Sequence, residues 1–268
     1  MSSALPPPPP PGSPPPPPPP PPPSGSSGPS AVPGARRRVR WGIGDVIAAF
    51  AVGIAVSVVA GVFVLDPDHP NKPVTLIVLI CAQNFAIIAW LAMVARRKGT
   101  GSLRSDFGLQ VLRPAAAWFS DLPWFFAGIG LQLVALIPIG ILESIYGHTA
   151  KQDVVKTADH AMGWQIPVLA LAIVLLAPVT EELLFRGALL RSLLRRVAPA
   201  SAVLISAVVF GLVHALGDPS VGTVIAMPAI ILLGVVSGWQ AAKTGNLSRS
   251  ILLHVGFNAL SVVFLFTN

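Results

Sequence analysis

Glutamate is scarce in this chain, with three in 268 residues, and cysteine is scarcer still, with one. A lone Cys81 excludes an intrachain disulfide and leaves the redox compartment open. Charge of either sign is thin: 11% of residues carry it, against about 25% in soluble domains, which excludes an ordinary water-facing surface. What charge there is leans positive, 18 Lys and Arg against 11 Asp and Glu, a net +7.

Apolar residues take the place of the missing charge, at 53% of the chain and a mean hydropathy of +0.72. They gather into seven segments near 44–65, 74–95, 122–146, 164–187, 200–216, 222–242 and 250–267. A hydrocarbon core takes about 20 helical residues, so each segment is long enough to cross it or nearly so. The fifth is short for a full span. The expected fold is therefore all-α, a polytopic membrane helix bundle of about seven transmembrane helices over 41–268. If the first span starts inside, 15 of the 18 Lys and Arg fall on inner segments, leaving Lys72, Lys151 and Lys156 outside. That bias predicts a cytoplasmic N-terminus. The expected location is a bacterial plasma membrane.

The basic residues then have work at the lipid surface, and no nucleic-acid partner is expected. Arg36, Arg37, Arg38 and Arg40 read as a topology cluster, and Arg191, Arg195 and Arg196 as a stripe facing headgroups. Residues 1–40 form a separate region. Prolines run unbroken at 6–11 and 14–23, followed by Ser24-Gly-Ser-Ser-Gly28. Such a stretch has nothing apolar to bury and is expected to be a disordered cytoplasmic tail of polyproline II character. A partner with an SH3-like or WW-like groove can bind it; a plain spacer is the simpler reading.

Three polar constellations interrupt the apolar spans of the second half. The first is Glu181-Glu182-Leu-Leu-Phe-Arg186, where carboxylates at bilayer depth cost roughly 2.5–3.5 kcal/mol each and so need a partner or a function. Pro178 is expected to kink or restart the helix, with Thr180 as its cap. Glu181 and Glu182 point about 100° apart, which predicts that they do not share a partner. Glu182 then pairs with Arg186, one turn on, and Glu181 is left for chemistry. The second constellation is Phe210-Gly-Leu-Val-His214, and the third is His254-Val-Gly-Phe-Asn258. Each puts its two polar or aromatic ends on one helical face. Gly234-x-x-x-Gly238 reads as a close helix contact.

Two histidines, a carboxylate and an amide can do either of two things. They can hold a divalent metal, for which zinc suits the donors. They can equally work without one, Glu181 and His214 activating a water while His254 and Asn258 bear an oxyanion. No His-Glu-x-x-His signature decides between these. His214 lies about fifteen residues into its span, some 10 Å nearer the outer face than Glu181 and His254 at about 1.5 Å per residue, and a tilted or late-starting fifth helix, or a long fourth helix extending past the membrane surface, would bring them together.

In order and spacing the three constellations resemble the CPBP family of intramembrane proteases, which includes the type II CAAX prenyl endopeptidases and bacteriocin-immunity proteins. The resemblance covers about 162–268 and rests on Glu181-Glu182-x-x-x-Arg186, Phe210-x-x-x-His214 and His254-x-x-x-Asn258. It implies an endopeptidase acting on a peptide bond of a membrane-associated or lipidated protein, within a water-accessible cavity. It also implies that Glu181 and His214 activate the water, that His254 and Asn258 stabilise the transition state or hold metal, and that Glu182 and Arg186 support them. The rival readings are a non-catalytic scaffold or immunity protein of the same fold and an ion-coupled transporter. Inverted-repeat symmetry would mark the transporter, and the polar groups occupy one half of the chain only.

Overall fold

The structure, a computed structural model, describes residues 39–65, 72–110, 113–150 and 160–267. The Pro-rich stretch with Arg36, Arg37 and Arg38 lies outside the described residues, as do His69, Lys151 and Lys156. The described chain is helical: α1 (Ile43–Val64), α2 (Pro73–Lys98), a short α3 (Leu103–Phe107), α4 (Ala115–Asp121), α5 (Pro123–Tyr146), α6 (Gln165–Leu194), α7 (Pro199–Gly217), α8 (Val221–Thr244) and α9 (Ser248–Thr267). Six helical stretches are long and apolar enough to cross a membrane, Ala115–Tyr146 counting as one of them. α9 is apolar over the shorter Ser248–Phe264. The fifth segment, short in sequence, is one of the six. Pro199 stands at the first turn of α7, where its absent N–H leaves no intrahelical bond unmade, and extends the helix to 19 residues.

Burial is arranged for lipid. Val62, Phe63 and Ile145 are largely exposed, while Thr180, Glu182, Arg186, Ser206, Ser237 and His254 are buried. In hydrocarbon there is no water to satisfy polar groups, so they are kept inside the bundle.

Small residues let the helices approach. α5 crosses α9 so closely that a Cβ built at Gly128 would overlap the Leu253 carbonyl, and one at Gly256 the Phe125 carbonyl. Gly234 and Gly238 of α8 lie against Ala207 and Val203 of α7, the packing role their spacing predicts. Gly256→Ala is expected to destabilise the protein by about 1–3 kcal/mol through backbone displacement. Gly130→Ala, on the same α5 but with nothing within 4 Å, is expected to be neutral or better. Unfolding of the two variants in detergent, compared with the parent, measures the difference.

The arginines at the end of α6 are also tied to backbone carbonyls. Arg191 Nη1 donates to the Asp106 carbonyl (2.9 Å) and Nη2 to the Gly245 carbonyl. Arg195 Nη2 donates to the Trp41 carbonyl (2.8 Å), with its guanidinium over the indole at 4.3 Å. Arg196 Nη1 donates to the Ser192 carbonyl at 2.6 Å. The turns at this end leave carbonyls without helical partners, and a guanidinium fork satisfies several of them at once. Burial, and then neighbouring Arg196, lower the pKa of Arg195 from its usual value, and it still carries its charge at any working pH.

Candidate active site

Helix α6 carries both glutamates and runs unbroken past Pro178, contrary to the expected restart. Residues Ala172–Leu176 are π-helical: the Ala177 N–H reaches back five residues to the Ala172 carbonyl, and the wider turn absorbs the missing Pro178 donor. Thr180 is inside the helix, its hydroxyl donating to the Leu176 carbonyl at 2.9 Å, so it caps nothing. A second π stretch, Glu182–Leu190, begins at the glutamates.

The site itself is a row of charges. Glu182 is completely buried, with Oε1 3.2 Å from Arg186 Nη1. The same oxygen lies 3.0 Å from His254 Nδ1 on α9. The other ring nitrogen, Nε2, faces Glu181 Oε2 at 3.5 Å. The glutamates thus share a partner after all. An imidazole presents nitrogens on two edges and can span two carboxylates that point apart on one helix. An ionised carboxylate only accepts, so Nδ1 carries the proton toward Glu182. Burial separates the two acids: the Glu182 side chain is 0% exposed and that of Glu181 is 26%.

Phe210 of α7 sits where these groups meet. The Arg186 guanidinium lies over its ring at 4.4 Å, and His254 meets it edge-on at 5.8 Å. His214 packs on the same ring at 4.6 Å, and its Nδ1 donates to the Phe210 carbonyl at 2.8 Å. In the neutral imidazole that bond leaves Nε2 as an acceptor. One aromatic ring therefore fills the offset expected between His214 and the Glu–His pair. Asn258 stands apart from this row. Its Nδ2 donates to the Ile173 carbonyl (3.0 Å), within the first π stretch of α6.

The donors do not fit a metal. Zinc needs three or four converging ligands, whereas both His254 nitrogens face carboxylates, His214 uses Nδ1 on a carbonyl, and Asn258 holds another carbonyl. Among the described residues, no three His, Cys, Asp or Glu side chains form such a set. Hollows of about 480 and 390 Å³ open beside Trp239 and Lys243 and beside Cys81 and Val179. Neither is lined by Glu181, His214 or His254, so neither is the cavity expected from the sequence.

Residues 163–260 match the family described as Type II CAAX prenyl endopeptidase Rce1-like. This segment is similar to Rce1-like domains. It contains all three constellations and agrees with the CPBP resemblance, and the likeness points to a protease in a membrane helix bundle. No curated protein and no solved structure matches the chain. Within residues 163–260, sequence reasoning missed the place of Phe210 at the centre and the backbone partners of Asn258 and Arg191. The i, i+4 spacing of Phe210 and His214 was the one available signal. Carbonyl partners leave no trace in residue identity.

Proposed function

We propose that the protein is an intramembrane endopeptidase that hydrolyses a peptide bond of a membrane-associated or lipidated protein. The observation that carries this reading is the Glu182–His254–Glu181 bridge, in which one acid is sealed by Arg186 and the other is left partly uncovered by protein. Glu181 takes a proton from water, whose oxygen attacks the carbonyl carbon. His214 Nε2 accepts the water's second hydrogen bond and orients it. As the tetrahedral intermediate collapses, the C–N bond breaks and the Glu181 proton passes to the departing amine. His254, held by Glu182, keeps the Glu181 carboxylate aimed. Asn258 acts by holding α9 against α6. A lipidated substrate suits a site enclosed by apolar helices, and the CAAX prenyl name of the family points the same way. The basic bias of the loops supports a cytoplasmic N-terminus.

The test is hydrolysis in ¹⁸O-water by purified protein in lipid vesicles, with membrane-anchored and lipidated peptides. One ¹⁸O is expected in each new carboxylate, and chelator treatment is expected to leave the rate unchanged. Loss of activity on chelation with recovery on adding zinc would contradict the proton route through Glu181 alone.

A further inference from the structure

The order of contacts along α6 and the chain from Gly245 into α9 shows that the two helices run antiparallel. Asn258 reaches Ile173, His254 reaches Glu181 and Glu182, and Gly245, at the turn into α9, receives Arg191. Nine residues separate Glu182 from Arg191 on one side, and nine separate Gly245 from His254 on the other. The Arg191 contact is thus a second rung of the same ladder, on the order of 13 Å from the first at the usual helical rise.

The Arg191 fork does more than touch Gly245. Nη1 donates to Asp106 (2.9 Å) and reaches the Ser105 carbonyl (3.4 Å), while Nη2 takes Gly245. The Leu247 N–H donates to the Gly108 carbonyl at 3.0 Å, so the turn ahead of α9 is tied to the same loop that Arg191 grips. Gly108 has φ +81°, and a Cβ there would overlap the guanidinium. α9 also has a bond to α4, Arg249 to Asp121 (2.8 Å), but that bond does not set its height against α6. The contact most sensitive to that height is His254 Nε2 to Glu181 Oε2, already 3.5 Å long.

We infer that Arg191 is a positioning residue: by holding the Gly245 turn it sets the axial register of α9 on α6, and so the placement of His254 between the two glutamates. The effect on turnover rests on the proposed hydrolase reading; the effect on His254 does not. The experiment compares full-length parent protein with Arg191→Gln, Arg191→Lys and Arg195→Gln in lipid vesicles or micelles. It reads kcat and KM, and the ¹⁵N signals of the His254 ring, whose separation reports the bonds of Nδ1 and Nε2. Arg191→Gln is expected to lower kcat by about 100-fold, the scale of an ångström-sized misplacement, with KM little changed. The His254 signals shift with it. Arg191→Lys, a point charge without the fork, falls between, and decides the matter if the glutamine variant does not fold. Arg195→Gln, which releases Trp41 and not α9, leaves both readouts at parent values. Unaltered His254 signals in the Arg191 variants, or an equal shift in Arg195→Gln, would overturn the inference. A parent protein without hydrolytic activity would count against the proposed function, and the His254 signals would still judge Arg191.

Discussion

Glu181→Gln is expected to abolish turnover, by roughly 10²–10⁴-fold, in a protein that still folds and inserts. The amide matches the acid in shape and can remain near His254, but it cannot take a proton from water. Because Arg186 and His254 both keep Glu182, the substitution leaves no buried charge without a partner. Purified variant and parent, compared for peptide hydrolysis and for thermal unfolding, give the answer. Parent-like turnover in the variant would end the assignment of Glu181 as the base. A parent protein that hydrolyses nothing in vesicles, yet binds a protein partner, would favour the scaffold reading instead.

The second large effect is expected at Glu182, and it concerns stability. Removing one member of a buried ion pair strands the other, at a cost of about 3–5 kcal/mol. Glu182→Ala leaves the Arg186 guanidinium enclosed with no carboxylate, over the Phe210 ring, and takes the Nδ1 partner from His254. Arg186→Met strands Glu182 in turn. Both variants are expected to unfold far more readily in a denaturing-detergent titration. The double substitution Glu182→Leu with Arg186→Met is expected to cost less than the sum, since no charge is left uncompensated. A Glu182→Ala protein as stable as the parent but without activity would move Glu182 from support into the reacting group.

Much of this protein is visible in its one-dimensional pattern because lipid is an undemanding judge of helices. Length and apolarity suffice to place a span, and the seven segments appear as helices close to where they were expected. The Glu182–Arg186 pair was equally legible, as four residues on a helix bring two side chains onto one face. The fate of Pro178 was not. A proline in a helix can be answered by a break, a kink or a π turn, and neighbouring helices decide which; here the π turn leaves the Ile173 carbonyl to Asn258.

Charge alone also did not reveal the partners of Arg191 and Arg195. Composition reports that a guanidinium lies near the end of a span, and a headgroup and a loop carbonyl are equally good partners for it. Only the folded turns at Asp106, Gly245 and Trp41 present those carbonyls within reach. The same holds for the glutamates. Helical geometry predicts the angle between Glu181 and Glu182, but whether one ring can bridge them depends on a third residue 72 positions away, His254. The amino-acid order by itself determined an all-helical membrane bundle and the Glu182–Arg186 ion pair, because these follow from hydrophobicity and from spacing along a single helix. Tertiary packing alone decided that His254 joins both acids, that Phe210 stands between the histidines and that Arg191 holds the turn into α9, because each depends on how separate helices slide and tilt against one another.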